Sequence, residues 1–373
     1  MKRNVQNATR VTLERVQQSY AELLKSTTFS LHDLFSHEGL QLNAYCKTFH
    51  PHPQSDELKK IAQVFGEQYD IWLENAKYYI TCALFLYPTA HFSRILSMTK
   101  NLAIGYYLND TMGREIFGNL TPYQQQQAKN IIRRMSTIGE NLELPMKVQP
   151  VELANAEMLT EIRKNSPKAW FSEFLKFYSY YIGITHKDCN AAALGHIPTV
   201  NEYIDMRYHT SGMPHIVLLI EYSDGQFLDW NWLKRVKLSQ TMERLHWVTA
   251  IFGSLTNDLF SFEKEVIDEG SDSNLLMAIA LNEPELTLQE IILKAAEIVR
   301  GVLIEYVALV EEVRQQCNEL PQSKMLDTLY VHMAGLERCI QASWMWQVYT
   351  QRYKHAASIW AETQLASLAA RSV

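Results

Sequence analysis

Between residues 257 and 265 the chain reads NDLFSFEKE, which sets an amide, a hydroxyl and a carboxylate, Asn257, Ser261 and Glu265, four positions apart. On an α-helix each residue advances 100°, so the three fall within an arc of about 80°, about 6 Å apart per step, and can converge on one cation. Lys264 lies on the same side, while Phe252, Leu255, Leu259, Phe262 and Val266 recur on the opposite one. A two-faced helix of this kind turns its polar side to water as readily as to an ion, and the spacing alone does not choose.

A second polar cluster lies in AIGYYLNDTMGREIFGNLTPYQQ, residues 103–125. A helical run reaches Asp110 and then meets Gly113, Gly118 and a new helix start at Thr121-Pro122, so Asp110 stands near a helix C-terminus. That end of the macrodipole is negative and disfavours an acid unless a cation compensates. Tyr106 and Tyr107, four and three residues back, would form an aromatic wall below the carboxylate. Glu115, five steps on, would be carried about 140° round an unbroken helix, away from Asp110. Pairing of Asp110 with Arg114 accounts for the acid equally well.

The elements that must hold these clusters are helices. Apolar residues recur at three-four spacing over 13–25, 58–80, 124–135, 288–316 and 329–353, and strand-like alternation is almost absent. About ten to twelve helices are expected. The chain has 373 residues, 47% of them hydrophobic, enough for a substantial core, and no Gly/Ser or Pro-rich linker divides it. Its net charge of -6 offers no general attraction to nucleic acid or anionic membranes. The N-terminus lacks a secretory apolar stretch, and the longest apolar run, YYITCALFLY, is too short to span a bilayer, so a cytoplasmic protein without nucleic-acid or membrane partners is expected. Five cysteines without a C-x-x-C pair read as free thiols.

Taken together, the two clusters resemble class I terpene synthases. NDLFSFEKE matches that family's N-D-[LIV]-x-[ST]-x-x-x-E motif at every specified position, lysine included. Against the family's D-D-x-x-x-E motif, DTMGRE keeps Asp110 and Glu115 but has Thr111 at the second aspartate. YIDMRYHTSG puts Arg207 where the family has a diphosphate-sensing arginine, and QVYTQRYKH supplies its C-terminal arginine-tyrosine pair, Arg352 and Tyr353, with Trp346 two turns before. The resemblance spans roughly residues 60–360.

It implies a single-domain all-α bundle over 60–373 with a central apolar cavity, preceded by an N-terminal helical extension, 1–59, whose docking is open. It implies Mg²⁺, in a cluster of three with substrate bound, held by Asp110, Glu115, Asn257, Ser261 and Glu265. Arg207, Lys264, Arg352 and Tyr353 would bind the diphosphate of a linear prenyl substrate, farnesyl or geranylgeranyl diphosphate, which is ionised and cyclised. Thr210 and Ser211 would be the linker and effector at a helix break: Pro214 has no N–H, which frees the Thr210 carbonyl to face the cavity. Tyr106, Tyr107 and Trp346 would line the wall, and a homodimer is the assembly to test for. The rival readings are a chain-elongating prenyltransferase, a non-catalytic carrier of an apolar ligand, and a cyclase that has lost activity through Thr111.

Overall fold

Side chains legible in the sequence start several of the long helices. Thr121, Thr199 and Thr287 each accept from the backbone three residues on, while Gln124, Glu202 and Glu290 reach back, closing three capping boxes. The computed structural model describes residues 2–365, and among these it has nineteen α-helices, twelve of them eight residues or longer. The only strand-like pairings among the described residues are isolated bridges, such as Phe29 with Trp360. None of these helices is long and apolar enough to cross a membrane. All five cysteines are free thiols.

Eight helices form the site or pack behind it: α1 (Lys2–Ser26), α2 (Phe92–Met112), α3 (Lys168–Ile184), α4 (Val200–Thr210), α5 (Met213–Asp224), α6 (Ser239–Phe262), α7 (Leu288–Asn318) and α8 (Lys324–Tyr349). α6 is the axis, packed by α4, α5, α7 and α8. From Val248 to Phe262 it is buried nearly all round, including Thr249, Ser254, Thr256, Asp258 and Ser261. A stretch of helix without a wet face belongs to a core, so the polar residues of NDLFSFEKE answer to neighbours and to a cavity, not to bulk water.

The chain departs from the sequence pattern at two places. The continuous run expected over 58–80 ends as a helix at Gln68. Asp70 takes a left-handed φ of 53° and turns the chain so that Ile71 enters the core. The second departure is in the motif itself: α6 stops at Phe262, and Glu263–Asp268 continue as a π turn, with the Glu269 N–H donating to the Lys264 carbonyl five residues back at 3.1 Å. Such widened turns concentrate at functional sites.

Candidate active site at the cavity mouth

A cavity of about 400 Å³ opens between α2, the α4–α5 break, α6 and α8. Gly253 on α6 lets the wall pack closely: a Cβ there would meet the Met213 methyl at 2.6 Å and the Ser343 hydroxyl at 3.0 Å. Charged and polar groups gather at its mouth, aromatic and apolar ones deeper in.

On the α6 side, Asn257 points to the mouth between two partners. Its carbonyl oxygen accepts from Arg207 Nη2 at 2.9 Å, and its amide donates to the Tyr353 hydroxyl at 2.9 Å. Arg207 also donates from Nε to Asp258 at 2.7 Å, and Asp258, wholly buried, accepts from Tyr203 at 2.5 Å and from the Leu275 N–H at 3.1 Å. Sequence reasoning gives Asp258 no role, although it is the second residue of the motif. Tyr203, also missed, sits four residues before Arg207 on one face of α4, which was the available signal. Because the π turn rotates less per residue than an α-helix, Glu265 is not carried as far round as 100° steps imply. It lines the mouth with Lys264, whose ammonium donates to Glu269 at 2.7 Å. Burial pushes the Glu265 carboxyl up, and Arg207 pulls it the other way. Ser261 is buried and does not line the cavity; its Oγ has no hydrogen bond of normal geometry, although it leans on the Glu265 carboxyl.

On the α2 side, the helix ends at Met112, and Gly113, extended at φ -70° and ψ 173°, restarts the chain into the short helix Arg114–Phe117. A Cβ at Gly113 would lie 2.2 Å from the Asn109 carbonyl oxygen, so the kink needs glycine. The expectation that Glu115 turns away from Asp110 assumed an unbroken helix and is corrected here: both line the mouth. The Thr111 hydroxyl is spent on its own helix, donating to the Tyr107 carbonyl at 2.6 Å. Asp110 accepts from Asn109 at 2.8 Å and pairs with Arg352 at 3.4 Å. The Arg352 guanidinium lies over the rings of Tyr79, at 4.5 Å, and Tyr106, at 5.5 Å, which hold it flat at the mouth.

Where α4 meets α5, Gly212 adopts φ +79°, and a Cβ there would meet the His215 and Tyr181 rings at 3.1 Å. The Thr210 carbonyl loses its helical donor, as Pro214 requires, but it is not free: Arg114 donates to it at 3.1 Å. The Ser211 hydroxyl caps α5, accepting from the Met213 N–H at 3.1 Å, and Thr210, Ser211 and Gly212 all line the cavity.

Of the three proposed wall aromatics, Tyr106 and Trp346 line the cavity and Tyr107 does not. Neighbouring helix residues diverge by 100°, so only one of two adjacent tyrosines can face inward; Tyr107 is turned towards Asp70. Trp346 is fixed by its indole N–H donating to Thr81 at 3.0 Å. His215, unremarked in the sequence, joins the wall among Phe174, Tyr178 and Tyr181, where burial pushes its imidazole down to about 3.

The donors at the mouth suit a hard cation. Asp110, Glu115, Asn257 and Glu265 offer oxygen, and the buried Ser261 Oγ, one turn from Asn257, has no well-formed hydrogen bond to a protein group. No three His, Cys, Asp or Glu side chains among the described residues converge into a cage. That fits an ion shared with a phosphate ligand better than one held by protein alone.

Known proteins are similar to this chain in sequence and in fold. Residues 100–303 match the family described as terpene synthase family 2, C-terminal metal binding. The chain is 24% identical over 184 residues to the sesquiterpene cyclase hepA of Aspergillus oryzae, 48% of this chain and 47% of that one. It is 25% identical over 215 residues to the 7-epi-alpha-eudesmol synthase ((2E,6E)-farnesyl diphosphate cyclizing) of Streptomyces viridochromogenes, covering 57% and 61%. The matches thus span about half to three fifths of those two relatives. A longer match, 21% identical, covers 81% of this chain and 94% of the 10-epi-cubebol synthase of Sorangium cellulosum. In fold, the chain is similar to the crystal structure of an a-eudesmol synthase, at a TM-score of 0.68 and 17% identity over 81% of this chain and 96% of that one. It is likewise similar to germacradien-4-ol synthase from Streptomyces citricolor, at 0.66 and 18% over the same shares.

Proposed function

The chain belongs to the class I terpene synthase family, and from that premise we propose that it ionises farnesyl diphosphate with Mg²⁺ and cyclises the resulting cation to a sesquiterpene, releasing diphosphate. The observation that carries this reading is the juxtaposition at one mouth of oxygen donors from α2 and α6 with Arg207, Lys264 and Arg352, over a cavity walled by Tyr106, Trp346 and Tyr181. About 400 Å³ lies at the small end of ligand cavities, which favours the fifteen-carbon chain over the twenty-carbon one.

In this proposal the allylic C–O bond breaks with its electron pair leaving on diphosphate. Asp110, Glu115, Asn257 and Glu265 would hold Mg²⁺ at the mouth, with Ser261 reaching it from behind Glu265, and the ion would neutralise the charge that diphosphate gains. Arg207 and Arg352 donate charge-assisted hydrogen bonds to the same oxygens, and Lys264 and Tyr353 add single donors. Arg207 Nη2 now occupies the Asn257 oxygen, so its turn towards phosphate releases Asn257 as a donor oxygen, and ligand sensing is thereby coupled to metal binding. Thr210 and Ser211 at the break face the ionising end; Arg114 fixes the Thr210 carbonyl there. The hydrocarbon cation then lies against the Tyr106 and Trp346 rings, whose faces stabilise it by about 0.5 to 2 kcal/mol each and exclude water until a proton is lost.

The experiment is incubation of the purified chain with Mg²⁺ and ten-, fifteen- and twenty-carbon prenyl diphosphates, with the organic extract resolved by gas chromatography and mass spectrometry. Cyclic fifteen-carbon product that vanishes with chelator is expected. A longer diphosphate would indicate chain elongation, and no turnover of any substrate would indicate a carrier or an inactive cyclase.

A further inference from the structure

Two of the proposed diphosphate contacts, Arg352 and Tyr353, sit on a three-residue 3₁₀ turn, Gln351–Tyr353, beyond the end of α8. A turn that short has no apolar stripe of its own to hold it, so its position must be fixed by the adjoining chain. Residues 354–365 form a strap bound at its far side to the N-terminal segment. The Phe29 N–H donates to the Ile359 carbonyl at 2.7 Å, and the Ala361 N–H to the Phe29 carbonyl at 2.8 Å. The Glu362 carboxylate accepts from the N–H groups of Leu31 and His32, both at 3.0 Å, capping the helix Leu31–Phe35. Trp360 is wholly buried between Phe29 and Phe262.

Beneath the strap lies Glu263, 1% exposed and part of NDLFSFEKE, immediately before Lys264 and Glu265. Its carboxylate accepts from the Tyr20 hydroxyl of α1 at 2.9 Å, from the Ser358 hydroxyl at 2.6 Å and from the Ile359 N–H at 2.8 Å. Gln17 adds a bond from α1 to the Ile267 carbonyl in the same π turn, at 3.1 Å. Three stretches far apart in sequence therefore meet on one acceptor-only group, and the turn that bears it is the one that bears Lys264 and Glu265.

We propose that Glu263 is a positioning residue of the diphosphate site. It sets the register between the π turn carrying Lys264 and Glu265 and the strap that anchors Arg352 and Tyr353, and Tyr20 makes the N-terminal helix part of that assembly. The inference rests on the function proposed above. Glu263→Gln is the sharp variant, because it keeps the shape but turns one acceptor into a donor facing donors, inside a buried site.

The test uses the full chain and two readouts: calorimetric binding of inorganic diphosphate with Mg²⁺, and KM against kcat for farnesyl diphosphate. Glu263→Gln is expected to weaken diphosphate binding and raise KM by about 10-fold or more while retaining the helical circular dichroism, and Tyr20→Phe to act in the same direction by about 3-fold. Arg134→Met, which breaks the remote ion pair with Glu152, is the control: it should lower Tm and leave both readouts alone. Should Glu263→Gln not fold, Tyr20→Phe and Ser358→Ala decide, since each removes one bond to the same carboxylate. Wild-type diphosphate affinity in these variants overturns the positioning role and leaves the proposed function standing. If the wild-type chain itself neither binds magnesium diphosphate nor turns over any prenyl diphosphate, both fall together.

Discussion

On the α6 side of the mouth, three polar side chains are gripped by other elements, Asn257 by Arg207 and Tyr353, Asp258 by Tyr203, Arg207 and Leu275, and Glu263 by α1 and the strap, while Lys264 pairs with nearby Glu269. On the α2 side, Asp110 touches its neighbour Asn109, Arg352 and the Tyr79 hydroxyl, and Glu115 has the Arg114 head group at 3.9 Å and a side chain 29% open to solvent. One side is fixed by burial in the axis of the bundle; the other stands on a helix end broken at Gly113. A site so divided has a template side, held in place by its neighbours, and a more exposed side.

Breaking the template side should cost most. Asp258→Ala leaves Arg207 buried without its counter-ion, so a loss of about 3–5 kcal/mol in stability, seen as a large fall in Tm, should accompany loss of all turnover. Asn257→Ala and Glu265→Ala are next: product formation should drop about 10²–10³-fold or more in each, with circular dichroism unchanged. Near-wild-type turnover in either would remove the template role from α6.

The α2 side should be more forgiving. Asp110→Asn is expected to lower kcat/KM by about 10²-fold and Glu115→Gln by about 10-fold, the difference following their exposure and the Arg352 contact. Equal losses would mean that both carboxylates are ordered to the same degree when ligand binds. Deeper in, Trp346→Leu should leave ionisation in place and shift the product ratio towards less cyclised hydrocarbons and alcohols, because the ring touches the cation and not the diphosphate. A variant that slows without changing products removes Trp346 from the wall.

The smallest effect sharpens the comparison through pH. Burial away from the mouth acts differently, because a carboxyl buried without a cation is pushed neutral. Glu221 on α5, whose acid accepts among the described residues from the Leu228 N–H, is pushed by burial up to about 8. The folded form therefore holds a proton that the unfolded chain releases near its ordinary value, so stability is full below about pH 4.5 and declines as pH rises towards 8. Glu221→Gln should abolish that decline, raising Tm at pH 8.5 by about 2–4 °C and changing it little at pH 5, measured by scanning calorimetry.

Much of the fold is legible in the sequence because local chemistry writes it: the capping threonines, Pro122, the long three-four patterns of α7 and α8, and the Gly212-Pro214 break are all local features. Asn257, Lys264, Glu265, Arg207, Arg352 and Tyr353 are likewise legible, since a motif fixes their types and order. Glu115 is misplaced by periodicity because one glycine ends a helix that the pattern would continue. Tyr107 is misplaced because two adjacent aromatics look alike until packing selects one. The Thr210 carbonyl looks free in the sequence because Arg114, which holds it, lies 96 positions away.

The sequence by itself determined that this chain is helical, which polar and charged side chains its motifs carry, and in which order they come, since residue type and period are properties of the chain. The tertiary structure alone decided which way each points. α6 became a buried axis because four helices cover it, so that its polar face had to be satisfied by Arg207, Tyr353 and the cavity in place of water. Asp258 and Glu263, two acids of one motif that look like their ligand neighbours in sequence, were turned away from the mouth into buried hydrogen-bonded anchors. A buried carboxylate goes where donors converge on it, and only the packed fold brings donors from distant parts of the chain to one place.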